Sequence, residues 1–170
     1  YPYVCFLQSD CIVEDINWLK SLYMTYENNR QNGVKFVSAR LSDSGGIGDN
    51  RVKGNKGEKT KDVILDPESS QEIIEKDLYV PLTAVFCHKD LFHKIGFFKE
   101  YPYGMYEDLE FACRLHSHGF KQAISGESFV RHEAGSTFKS LEMNIHCKRE
   151  INKNFDRCVQ DIKSLKGKTK

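Results

Sequence analysis

The first forty residues constrain the fold more than any other part of the chain. Residues 3–7, YVCFL, are an unbroken run of apolar β-formers, which predicts a strand buried on both faces. Glu14 and Asp15 then open a helix, where Trp18, Leu19, Leu22, Tyr23 and Tyr26 recur at helical spacing to about Asn28. Asn32-Gly33 ends it, and VKFVSARL (34–41) returns as a strand. Strand, helix and strand so spaced predict a right-handed parallel crossover. The expectation is an α/β domain with a mostly parallel sheet flanked by helices. The aromatics of the helix belong to its packing face rather than to a cofactor site.

Further along, SDSGGIGDNRVKGNKGEKTKD (42–62) has glycine and charge and, of larger apolar side chains, only Ile47 and Val52, and reads as a surface loop. Its Gly45-Gly46-Ile47-Gly48 lacks the spacing of a phosphate loop. VILD (63–66) is a short strand candidate, Gln71–Lys76 a helical patch and Leu82 to Cys87 another buried strand. Lys89 to Ile95 forms a short helix ending at Gly96, with His88 and His93 as surface or packing residues, and Phe120–Ile124 is strand-like. From about Leu141 to Leu165, Ile151, Phe155, Cys158, Ile162 and Leu165 step by 4, 3, 4 and 3, a stripe for one long amphipathic helix. The domain therefore divides into 1–140 and a C-terminal helix with basic tail, 141–170.

At 170 residues the chain makes one domain with a real core. A net charge of +1 gives no argument for nucleic acid as a partner. No apolar run approaches the ~20 residues of a membrane span, and no stretch has the form of a secretory signal. Six scattered cysteines show no disulfide framework, so a reduced, cytoplasmic chain is expected. Cys113, His116 and His118 lie close together without a second ligand pair at finger-like spacing. The chain does not begin with Met, and YPYVCFL reads as a strand already under way, so it is expected to start inside a larger protein.

Three stretches carry chemistry. In YGMYEDLEFACRLHSHGF (103–120), Glu107 and Asp108 stand at the start of a helix whose stripe is Leu109, Ala112 and Cys113, with Gly119 as its stop. Acids favour that end of a helix whatever their function. Tyr101, Tyr103, Gly104 and Tyr106 crowd the approach, however, and a carboxylate walled by aromatics suits a general base meeting a substrate hydroxyl. Asp10 follows the first strand, at the edge where open α/β sheets bind ligands, and offers hard oxygen ligation to Mg2+ or Mn2+. His132, in FVRHEAGSTF (129–138), joins such a site if the fold brings it beside Asp10.

Together these stretches resemble family 2 glycosyltransferases of the GT-A type, in the rhamnosyltransferase-like branch. FLQSDCIVEDINWLKSL is similar to that family's strand, metal-binding acid and following helix. LTAVFCHKDLFHKIGFF resembles its strand, short helix and glycine-phenylalanine turn. YGMYEDLEFACRLHSHGFK looks like its acceptor segment, and VRHEAGSTF like its late histidine-glycine-serine stretch. The resemblance covers roughly residues 3–155. It implies a partial, Rossmann-like GT-A domain that transfers sugar from a nucleotide-sugar donor to the hydroxyl of a glycan or lipid-linked acceptor, with inversion. Asp10 would ligate the Mn2+ or Mg2+ holding the diphosphate, with His132 near it. Asp108 would be the base, and Glu107, Tyr103 and Tyr106 would border the acceptor. Gln8 stands two positions before Asp10, where the family commonly carries an acid or Asn. The family's nucleotide-binding half would precede Tyr1, so little activity is expected of these residues alone.

The alternative is a non-catalytic interaction module that dimerises through 141–165 or through the exposed edge left by the missing strands. From Lys148 onward eight basic residues stand against three acids, which allows contact with the inner face of a membrane as well as docking on the domain.

Overall fold

The structure is a computed structural model that describes residues 1–43, 51–54, 61–62, 71–74, 78–132 and 145–166. In chain order the elements are β1 (Tyr3–Leu7), β2 (Cys11–Ile12), α1 (Trp18–Asn29), a 3-10 turn (Arg30–Asn32), β3 (Val34–Asp43), β4 (Arg51–Gly54), β5 (Lys61–Asp62), β6 (Gln71–Ile74), β7 (Leu78–Tyr79), β8 (Ala84–His88), α2 (Asp90–Ile95), α3 (Glu107–Ser117), β9 (Lys121–His132) and α4 (Ile145–Lys166).

The main sheet has the order β1-β8-β3-β9-β2, with β6 pairing β9 beside β2. It is mixed rather than mostly parallel, which corrects the expectation. Only β3 and β9 pair in parallel among the described residues, while β8 lies antiparallel to both β1 and β3. β1 and β3 do run in the same sense, as the strand-helix-strand pattern requires, but β8 is inserted between them. Four of its five residues are buried. An apolar run buried on both faces carries no record of its direction, so the sequence pattern is blind to this insertion. β1 departs from expectation too: Cys5 and Leu7 are exposed, and among the described residues β1 pairs with β8 alone.

Side chains alternate across the sheet to make two cores. On one face Phe36, Val85, Cys87 and Ile124 meet α2 and α3 through Leu91, Phe92, Ile95, Phe111 and Leu115. The Phe111 ring packs 5.2 Å from Phe36 and 4.6 Å from Phe98, and burying such a side chain contributes about 1.5–3 kcal/mol. On the other face Val37, Ala39, Leu41, Ala84, Phe86 and Val130 receive Leu22 and Tyr26 of α1. A buried hydrogen bond of 2.9 Å from Thr25 Oγ1 to Ser125 Oγ fixes that helix against β9.

Several local expectations hold with shifted boundaries. α1 begins at Trp18, because Asp15 turns the chain instead of entering the helix: its side chain accepts from Asn17 N at 2.8 Å and its carbonyl from Trp18 N at 3.2 Å. Gly33, at φ 89°, ends the 3-10 turn. The last strand runs on from Ile124 to His132. The patch at 71–76 is a correction, since residues 71–74 form strand β6 and complete the ladder of β9. The loop at 42–62 is another: β3 reaches Asp43, and β4 and β5 pair with each other. Residues 45–48 and the strand candidate at 63–66 lie outside the described residues. α4 docks on α3, burying Asn154 and Cys158.

Candidate functional site

β1, β3 and β9 run in one sense and end at the same edge of the sheet, where β8 begins and β2 lies. Past β1, Gln8 N donates to Thr83 O at 2.9 Å and Cys11 N donates to Gln8 O at 3.1 Å. This turn holds Asp10 between β1 and β2. In the register of β2 with β9, Cys11 stands opposite His132. The pairing brings Asp10 Oδ1 within 3.5 Å of His132 Nε2, with side chains only 17% and 19% exposed. Next to them Glu14 Oε1 pairs with Arg131 Nη2 at 3.1 Å. Residues 122 positions apart in sequence thus share one small polar cluster. Burial, and then the charge of Asp10, push the Cys11 thiol up to about 11. Its sulfur donates to Thr83 O at 3.7 Å, as a protonated thiol does at neutral pH.

The second cluster is at the start of α3. The C-terminal end of α3 lies where β3 and β9 begin, since Lys121 N donates to Gly33 O at 2.9 Å. The helix packs on the sheet through Phe111 and Leu115. Its 11 residues span about 16 Å, which separates its acidic first turn from the start of β9. Tyr79, buried beside this turn, has its phenol held well above the usual range by burial and then by the charge of Asp108. The segment 79–83 therefore joins the clusters, with Tyr79 near Asp108 at one end and Thr83 bonded to Gln8 and Cys11 at the other.

Within the second cluster the carboxylates differ. Asp108 Oδ1 accepts from Leu109 N at 2.8 Å. Glu107 Oε2 is buried and accepts no hydrogen bond from the described residues. Before them Tyr103, Gly104, Met105 and Tyr106 all have positive φ, at 62°, 75°, 72° and 75°. Each of the three with a side chain costs about 1–2 kcal/mol in that conformation. The Tyr106 ring packs on Phe155 of α4 at 5.5 Å, so this tyrosine serves the helix junction. Tyr103 is half exposed, and its hydroxyl is raised by a hydrogen bond with Cys147.

Asp10 and His132 are thus neighbours, while Asp108, Glu107, Tyr103 and Tyr106 form a separate group across the 79–83 segment. Sequence reasoning missed Glu14 with Arg131, Tyr79 and Asn154. A signal existed only for Asn154, which sits within the α4 stripe between Ile151 and Cys158. His116 and His118 each place Nδ1 on a backbone carbonyl, of Phe120 at 3.0 Å and of Arg114 at 2.8 Å. Among the described residues no three His, Cys, Asp or Glu side chains are grouped to hold a metal ion. Nor is any helix among them long and apolar enough to cross a membrane. Comparison of the sequence finds no matching family model and no significantly similar curated protein.

Proposed function

We propose that the chain is the acceptor-side portion of an inverting glycosyltransferase domain of partial GT-A type, which moves a sugar from a nucleotide-sugar donor to an acceptor hydroxyl. The observation that carries this is the approach of Asp10 to His132, 3.5 Å apart at the ligand-binding edge of the sheet. A carboxylate oxygen with an imidazole nitrogen suits Mn2+ better than Mg2+. Asp10 and His132 alone would hold such a cation weakly, so its binding would depend on the donor diphosphate. Asp10 and His132 would hold the divalent ion, which when bound would supply charge neutralisation for the departing diphosphate. Asp108 takes the proton of the acceptor hydroxyl as its oxygen bonds to the anomeric carbon, while the bond from that carbon to diphosphate oxygen breaks on the opposite face. Glu107 would border the acceptor beside Asp108. The acceptor is a glycan or lipid-linked sugar in cell-surface synthesis, at the cytoplasmic side of a membrane.

The test uses Mn2+ with inorganic pyrophosphate, which needs no nucleoside-binding residues. Paramagnetic broadening of the His132 imidazole signals is expected with both present. Asp10→Ala should weaken it about tenfold or more. Absence of broadening with both present, or broadening that survives Asp10→Ala unchanged, removes the metal site and the reading with it.

One observation favours a second reading, a non-catalytic interaction module. β1 pairs on one side only among the described residues, and Leu7 is 42% exposed, an edge that accepts another strand. Sedimentation of a Cys5→Pro variant, which loses an N–H on the unpaired side of β1, separates the two: an association lost with the proline supports the module.

A further inference from the structure

Residues 103–106 are four consecutive residues at positive φ, three of which carry side chains. Such a run persists only where its surroundings over-determine it. Here the surroundings are α4. Asn154 is fully buried, and its Nδ2 donates to both Pro102 O at 2.7 Å and Gly104 O at 2.9 Å. Arg157 Nη1 donates to Asn154 Oδ1 at 3.3 Å, which sets the amide with its nitrogen toward the turn. One helical turn on, Cys158 Sγ donates to Tyr106 O at 3.6 Å. Asp161 Oδ2 accepts from Tyr101 Oη at 2.8 Å. Successive α4 residues thus hold the segment 101–106 at its beginning, middle and end. That segment leads directly into Glu107 and Asp108.

We propose that Asn154 is a positioning residue: its amide locks the left-handed turn, and the turn sets where α3 starts and where Asp108 and Glu107 point. The consequence for sugar transfer rests on the function proposed above; the lock itself does not.

The variants are Asn154→Asp, which keeps the shape but offers no donor at neutral pH, Asn154→Leu, and Arg157→Leu at an exposed position, which folds even if the buried changes do not. Hydrogen exchange at Gly104 N–H and Glu110 N–H, bonded to Tyr101 O and Tyr106 O, reports on the turn. Exchange there should rise about tenfold in either Asn154 variant and about threefold in Arg157→Leu, with β8 and β9 unchanged. The positive φ of Met105, read from scalar couplings and Cα–Cβ shifts, should be lost in the Asn154 variants. A merely structural residue would move neither in isolation. Parent exchange at Gly104 and Glu110 in every variant overturns the lock, as does equal acceleration in β8 and β9. Pyrophosphate-dependent Mn2+ broadening at His132 should be unchanged in all three. Its failure in the parent chain overturns the sugar-transfer reading and leaves the exchange result standing.

Discussion

Removing the guanidinium of Arg114 should destabilise this fold more than most single changes. Glu110 is completely buried and Arg114 nearly so. Arg114 Nε donates to Glu110 Oε1 at 3.1 Å and Nη2 to Oε2 at 2.7 Å. The same side chain donates to the carbonyls of Ile95 and, at 2.9 Å, Phe97, and so ties α3 to the end of α2. In Arg114→Met the nearest cation left to Glu110 is Lys99 Nζ at 3.7 Å, and two carbonyls lose their donor. Breaking a buried pair from one side costs about 3–5 kcal/mol. For a domain of this size that corresponds to a fall in Tm of about 6–20 °C. Urea unfolding followed by the fluorescence of Trp18, the single tryptophan, measures it. Adding Glu110→Gln to Arg114→Met removes the stranded charge and should recover about 1–3 kcal/mol. A cost below about 1 kcal/mol for Arg114→Met, or no recovery in the double variant, would refute the claim that a stranded charge dominates.

Gly96→Ala should cost about 1–3 kcal/mol, since Gly96 sits at φ 83° and ψ 166° and an added Cβ would stand 2.9 Å from Arg114 Nη1. Gly119→Ala, also at positive φ but with nothing within 4 Å, should cost less in the same urea titration. Burial pushes the Cys87 and Cys158 thiols up to about 12, whereas unfolded cysteine ionises near 8.5. Their contribution is therefore whole below about pH 8.5 and is lost as pH rises toward 12, by about 1.4 kcal/mol per pH unit for each thiol. Urea midpoints at pH 8 and pH 10 should differ accordingly, and equal midpoints would contradict the burial argument. Thr25→Val deletes the donor to Ser125 Oγ and should cost about 1 kcal/mol by thermal unfolding; Ser125 Oγ still donates to Ser21 O at 3.4 Å.

What the sequence determined by itself is local. Helical spacing in WLKSLYMTY and EDLEFACRL, stops at Gly33, Gly96 and Gly119, and the apolar run before His88 all follow from short-range sterics and from alternation of burial. These place α1, α2, α3 and β8 within a few residues. The same patterns put Asp10 at the end of a strand and Glu107 with Asp108 at the start of a helix. Tertiary structure alone decided the rest. A doubly buried strand looks the same in either direction, so the antiparallel insertion of β8 between β1 and β3 was invisible. QEII became a strand because β9 offered it a ladder, which overrides a weak helical preference. The meeting of Asp10 with His132 depends on the β2–β9 register, a pairing across most of the chain that no spacing encodes. Likewise the left-handed turn at 103–106 has a single glycine to announce it, because its stability comes from Asn154 and Cys158 about fifty residues away.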